Sequence, residues 1–145
     1  MYLFVILITA LLAFSPVEKT AVDSTIVVEA NDRMQFNTKE IKVKAGETIT
    51  LTLKHVGKMP KQAMGHNWVL LKEGVVVKDF AMEAMKLRDS DYLPADSEDV
   101  IAATKLLGGG EEDSITFEVP EKGTYTFVCT FPGHFGIMQG QFIVE

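Results

Sequence analysis

The sequence predicts an all-β fold, a sandwich or barrel of short antiparallel strands. Two observations carry that prediction: strict alternation of apolar and polar residues, and the turn residues that divide the alternating runs. Ile41 and Val43 alternate with Lys42 and Lys44, and Ile49, Leu51 and Leu53 with Thr50, Thr52 and Lys54. Further on, Ile115, Phe117 and Val119 alternate with Ser114, Thr116 and Glu118, and Tyr125, Phe127 and Cys129 with Thr124, Thr126 and Val128. Side chains on a strand point to opposite faces in turn, so each run has one face to bury. Ala45-Gly46-Glu47, Gly108-Gly109-Gly110 and Pro120-Glu121-Lys122-Gly123 read as the turns between them.

One stretch leaves the period of two. Residues 80–87 (FAMEAMKL) are good helix formers, with Met82 and Met85 three apart. They predict a short helix, the Met pair on its packing face, inside a long insertion running to about Leu107. At the other end of the chain, residues 1–14 are almost wholly apolar and too short to span a bilayer comfortably as a helix. They predict a signal peptide or a retained anchor over residues 1–20, with one globular domain over residues 21–145.

Composition narrows the function. A chain of 145 residues with 47% apolar residues supports one domain with a real core. A net charge of −6 with no basic stripe excludes the usual means of meeting nucleic-acid phosphates.

The single cysteine rules out an internal disulfide. By itself a lone cysteine reads as a small hydrophobe, but its neighbourhood is unusual. Cys129-Thr-Phe-Pro-Gly-His134-Phe-Gly-Ile-Met138 places a thiol, an imidazole and a thioether within ten residues. In the strand reading Cys129 ends the strand over residues 125–129, pointing inward, and Pro132-Gly133 turns the loop back toward a last strand over residues 139–145. Soft sulfur with histidine nitrogen suits copper: two histidines, a cysteine and a weak axial methionine make up the blue-copper site. A second histidine must therefore come from elsewhere, and His55 and His66 are the candidates. His66 stands before residues 67–71, a plausible buried strand, and is favoured; His55 lies in a turn-like His-Val-Gly-Lys.

The run Met64-Gly65-His66-Asn67-Trp68, joined to Cys-x4-His-x3-Met, resembles the azurin type of the blue-copper cupredoxin family. Further matching runs are Asn31-Asp-Arg-Met-Gln-Phe-Asn-Thr38, Asp91-Tyr-Leu93, Val100-Ile-Ala, Thr104-Lys-Leu106 and Asp113-Ser-Ile-Thr-Phe117. The resemblance implies a cupredoxin-like Greek-key β-sandwich or barrel with a short helix in a flap. It also implies one copper ion with His66, Cys129 and His134 as equatorial ligands, Met138 as axial sulfur and the Gly65 carbonyl facing it. Asn67 would fasten the two ligand loops, His55 would be a non-ligand histidine, and Trp68 would lie in the core. The implied activity is single-electron transfer without catalysis, in the periplasm, by a monomer. Its partners would be redox proteins such as c-type cytochromes or a periplasmic reductase, with membrane contact only through a retained N-terminal segment. They would dock on an exposed apolar patch of Met34, Met59, Ala63, Met64, Phe131, Pro132, Gly133 and Gly136.

Two departures stand out. The family's disulfide is absent, Ser24 and the Ala45-Gly46 turn occupying those regions, and Phe135-Gly136-Ile137 replaces the usual small residues of the ligand loop. Rival readings are another cupredoxin subtype, a copper-storing or copper-delivering protein, and a metal-free adhesive sandwich. Three histidines are too few for a multicopper enzyme.

Overall fold

The computed structural model describes residues 23–94 and 96–145; the signal or anchor expected over residues 1–20 lies outside the described residues. In chain order the strands are β1 (Asp23–Asn31), β2 (Gln35–Phe36), β3 (Glu40–Val43), β4 (Thr48–His55), β5 (Val69–Leu71), β6 (Val100–Ala103), β7 (Glu112–Glu118), β8 (Gly123–Val128) and β9 (Gln139–Val144). They form two open sheets, of order β2-β1-β4-β7 and β3-β9-β8-β5-β6, packed as a sandwich with no closed barrel.

The two sheets are mixed rather than wholly antiparallel. β1 runs parallel to β4, and β3 parallel to β9. Between β1 and β4 the chain visits the other sheet through β3, so it re-enters beside β1 from the same end. Alternation specifies which face a strand buries and is silent on its direction, which is why this feature escaped the sequence.

β4 realises its pattern fully: Ile49, Leu51 and Leu53 are completely buried. On its outer face Thr50 and Thr52 meet Thr116 and Ser114 of β7 across the ladder at 2.9 and 2.7 Å. Between the sheets Trp68, with no exposed surface, stacks on Phe127 at 5.6 Å and meets Phe142 edge-on at 6.1 Å. Each fully buried large apolar side chain contributes about 1.5–3 kcal/mol, so this cluster stabilises the sandwich without a disulfide.

Among the described residues two short α-helices, α1 (Lys61–Met64), leading into Gly65-His66, and α2 (Val77–Ala84) in the insertion, and a 3-10 turn (Arg88–Ser90) complete the fold. The α2 helix begins earlier than residues 80–87 suggested, and its packing face differs. Phe80, Ala81 and Ala84 are buried, whereas Met82 is 46% exposed. At 100° per residue, positions 80, 81 and 84 share a face that excludes position 82. Among the described residues no helix is long and apolar enough to cross a membrane.

Candidate metal centre

One end of the sandwich collects the residues singled out in the sequence. β8 stops at Val128, and Cys129 follows as the first residue beyond the strand rather than its last member. The Cys129 N–H donates to the Met138 carbonyl at 2.9 Å, closing the intervening loop. Inside it the His134 N–H donates to Phe131 O at 3.0 Å, and the Ile137 and Met138 N–H groups both donate to His134 O, at 3.1 and 2.9 Å. Gly133 makes the reversal possible, since its φ of +83° lies in the left-handed region that side chains disfavour. The result sets His134 Nδ1 3.7 Å from Cys129 Sγ.

His66 arrives from the other side. It exchanges two main-chain hydrogen bonds with Leu107, at 3.0 and 2.8 Å, which hold it beside the loop. Its Nδ1 lies 3.9 Å from Cys129 Sγ, and the Gly65 carbonyl oxygen is also 3.9 Å from that sulfur. Gly65 is required here for space, not for backbone freedom. Its φ of −67° suits any residue, but an added Cβ would meet Lys61 O at 2.6 Å and Phe131 Cδ2 at 2.9 Å.

The ligand atoms of His66, Cys129 and His134 lie within 4.8 Å of one another, and all three residues are buried. Nitrogen and sulfur donors about 2.0 and 2.3 Å from a common ion, spread evenly around it, stand about 3.7 Å apart. The two sulfur–nitrogen distances fit that spacing. Met138 is fully buried, with its main chain fixed against that of Cys129.

Hydrogen bonds select the tautomers. His66 Nε2 lies 2.8 Å from the Asn31 carbonyl, which can only accept, so the proton sits on Nε2 and Nδ1 keeps its lone pair toward the sulfur. His55 is spent differently. Its Nε2 donates to Met64 O at 2.8 Å and its Nδ1 accepts from the Gly57 N–H at 3.1 Å. No lone pair remains for a metal, although its ring lies only 4.5 Å from that of His66. Of the two histidines, His66 alone keeps a ring lone pair free toward the Cys129 sulfur.

Burial dominates the charges. It holds the His66 and His134 imidazoles down to about 4, so both are neutral donors at ordinary pH. It pushes the Cys129 thiol up to about 11, against the opposing pull of the Asn67 and Phe131 N–H groups. Asn67 also links the loops: its amide donates to Thr130 Oγ1 at 2.7 Å and accepts from the Thr130 N–H at 2.8 Å.

Residues expected on the surface near His134 divide. Met59, Ala63, Gly133 and Gly136 are exposed, and Met34, Met64 and Pro132 are half-buried. Phe131 is not an exposed member: only 9% of it is accessible, because Tyr92 from the insertion covers it edge-on at 5.4 Å. Ile137 was missed and is 51% exposed. Asn31 fixes His66 through its main-chain carbonyl, a role that leaves no side-chain signal in the sequence.

The profile of copper-binding proteins of the plastocyanin/azurin family matches residues 22–145. This chain belongs to that family. It is 45% identical over 128 residues to azurin of Pseudomonas aeruginosa, covering 83% of this chain and 84% of that one. It is 49% identical over 118 residues to outer membrane protein H.8 of Neisseria gonorrhoeae, covering 79% of this chain but only 63% of the relative's length. Among solved structures, azurin Az-iso2 of Methylomonas sp. strain J superposes with a TM-score of 0.77 at 37% identity, covering 84% of this chain and 98% of that one. Auracyanin of Roseiflexus castenholzii gives 0.77 at 38% identity, covering 84% and 97%. The His66, Cys129 and His134 group with Met138 has the arrangement of a type 1 site for one copper ion.

Proposed function

We propose that this chain carries single electrons between redox proteins, and that His66 Nδ1, Cys129 Sγ and His134 Nδ1 would hold its copper together with the Met138 thioether. The Gly65 carbonyl oxygen, 3.9 Å from the Cys129 sulfur, would border the site. The observation that carries this reading is the convergence of a buried thiol and two neutral imidazoles within 4.8 Å, with a buried thioether on the adjoining strand end. Copper held there supplies a one-electron Cu(I)/Cu(II) couple, whose potential is set by the axial ligand and the surroundings of the sulfur.

The chain's own part is rigidity and exclusion of water. His66 is fixed by Asn31 and Leu107, and Cys129 by Met138. Asn67 and Thr130 tie the two ligand segments together. A frame held on so many main-chain bonds keeps the donors nearly still when the charge changes, which keeps reorganisation small. A donor set drawn wholly from the chain and the family it belongs to support the reading of a carrier rather than an enzyme.

The exit for the electron is the side of His134, itself 3% exposed in a loop where Pro132 is half-buried and Gly133 and Gly136 are exposed. An apolar surface there suits brief, small-area encounters with redox partners such as c-type cytochromes or a periplasmic reductase. The apolar segment over residues 1–14 supports export to the periplasm. Stopped-flow mixing of the Cu(I)-loaded protein with a ferric c-type cytochrome tests the function. Reduction of one cytochrome per copper, with matching appearance of Cu(II), is the expected result, and absence of electron transfer would overturn it.

A further inference from the structure

The ligand loop carries an aromatic residue on each side of His134, one in direct contact with the insertion and the other packed on a cluster the insertion helps to form. Phe131 lies against the His134 ring at 4.7 Å and receives the edge of Tyr92 at 5.4 Å. Phe135, on the other side, packs against a small buried cluster of Val69, Leu71, Phe80 and Val128. Leu93, next in sequence to Tyr92, packs against that same cluster, to which α2 contributes Phe80. Of two consecutive insertion residues, Tyr92 thus meets one flank of the loop directly, and Leu93 shares a buried cluster with the residue on the other flank.

The tip that presents them is held in an unusual shape. Asp91 and Tyr92 have φ of 52° and 58°, a left-handed conformation that costs non-glycine residues free energy and persists where the surroundings enforce it. Three main-chain bonds enforce it: Asp91 N–H to Arg88 O at 3.2 Å, Tyr92 N–H to Leu87 O at 2.9 Å and Leu93 N–H to Ser90 O at 3.0 Å. Asp91 in turn meets Lys61 at 3.2 Å, on the helix that leads into Gly65-His66. That exposed pair contributes little energy, but it links the tip to the helix that precedes Gly65-His66.

We propose that the insertion clamps the His134 loop, Tyr92 through Phe131 and the other flank through the cluster that Phe135 shares with Leu93 and Phe80, making Tyr92 and Phe135 positioning residues for His134. This rests on the copper reading for its purpose. Its geometry does not depend on the metal, so it is tested first in the metal-free protein. The Ile137 and Met138 amides, which donate to the His134 carbonyl, report on the loop. Tyr92→Ala and Phe135→Ala should each speed hydrogen exchange at these two amides by about tenfold or more, leaving the Leu51 and Leu53 amides of β4 at wild-type rates. Tyr92→Phe keeps the covering ring and should restore wild-type exchange, and the milder Phe135→Leu should fall between wild type and Phe135→Ala. In the copper-loaded protein the two alanine variants should release metal to a chelator about tenfold faster. Unchanged exchange in the loop, or equal acceleration in loop and β4, would overturn the clamp. If the wild type takes up no copper, the proposed function fails, and the clamp stands or falls on the exchange rates alone.

Discussion

Adding copper to the metal-free protein at neutral pH should release one proton per ion bound. Both imidazoles, held down to about 4 by burial, are already neutral near pH 7 and have no proton to lose. The Cys129 thiol, pushed up to about 11, is fully protonated there. Removing its proton about four pH units below that value costs about 5 kcal/mol, a cost that metal binding must offset. The proton is bound in the metal-free form and lost in the loaded form, so raising the pH favours loading. Apparent affinity should rise about tenfold per pH unit through the neutral range, and more steeply at pH values below about 4, where His66 and His134 also carry protons. Isothermal titration in buffers of differing ionisation enthalpy, repeated at several pH values, counts the protons directly. Release of none would mean that the thiol is not the ligand or is already ionised. Release of two at neutral pH would mean that an imidazole is charged before loading. Either result refutes the argument from burial.

Other perturbations probe separate parts of the account. Met138→Leu should keep the site but raise its reduction potential, because an apolar axial position disfavours Cu(II); an unchanged or lower potential by voltammetry would count against the axial assignment. Gly65→Ala forces a Cβ against Lys61 O at 2.6 Å and Phe131 at 2.9 Å, so denaturant unfolding should register a loss of about 1–3 kcal/mol. A fully stable variant would show that the close approach is not tight. The metal-free protein should lose stability as pH falls from about 6.5 toward 4. The imidazoles of His66 and His134 lie at about 4 when folded and regain 6.5 on unfolding, so the unfolded chain binds more protons across that window. Unfolding midpoints that stay level through it would contradict the burial of the two rings.

What the sequence disclosed follows from where the physics is local. The buried faces of β4, β7 and β8 were legible because alternation is a property of neighbouring residues, and Ile49, Leu51 and Leu53 came out fully buried. The ligand loop was legible because its sulfur and nitrogen donors lie close together in the chain. What stayed hidden depends on residues distant in sequence. The parallel pairing of β1 with β4 is set by the path of the chain between them. The spent lone pair of His55 depends on the Gly57 amide and the Met64 carbonyl, neither of which has a side-chain signature. Phe131 is covered by Tyr92, some forty residues earlier, a contact that no local pattern announces. Phe135 packs against a cluster that joins Phe80 of α2 to Val69, Leu71 and Val128, all distant from it or outside its loop in sequence.

The central claim is that one buried thiolate joins copper to this protein, and an absorption spectrum of the copper-loaded, oxidised chain tests it most directly. Charge transfer from Cys129 sulfur to Cu(II) should give an intense visible band and a blue solution, and Cys129→Ser, loaded identically, should be without it. A colourless wild type, or a blue Cys129→Ser protein, would contradict the account.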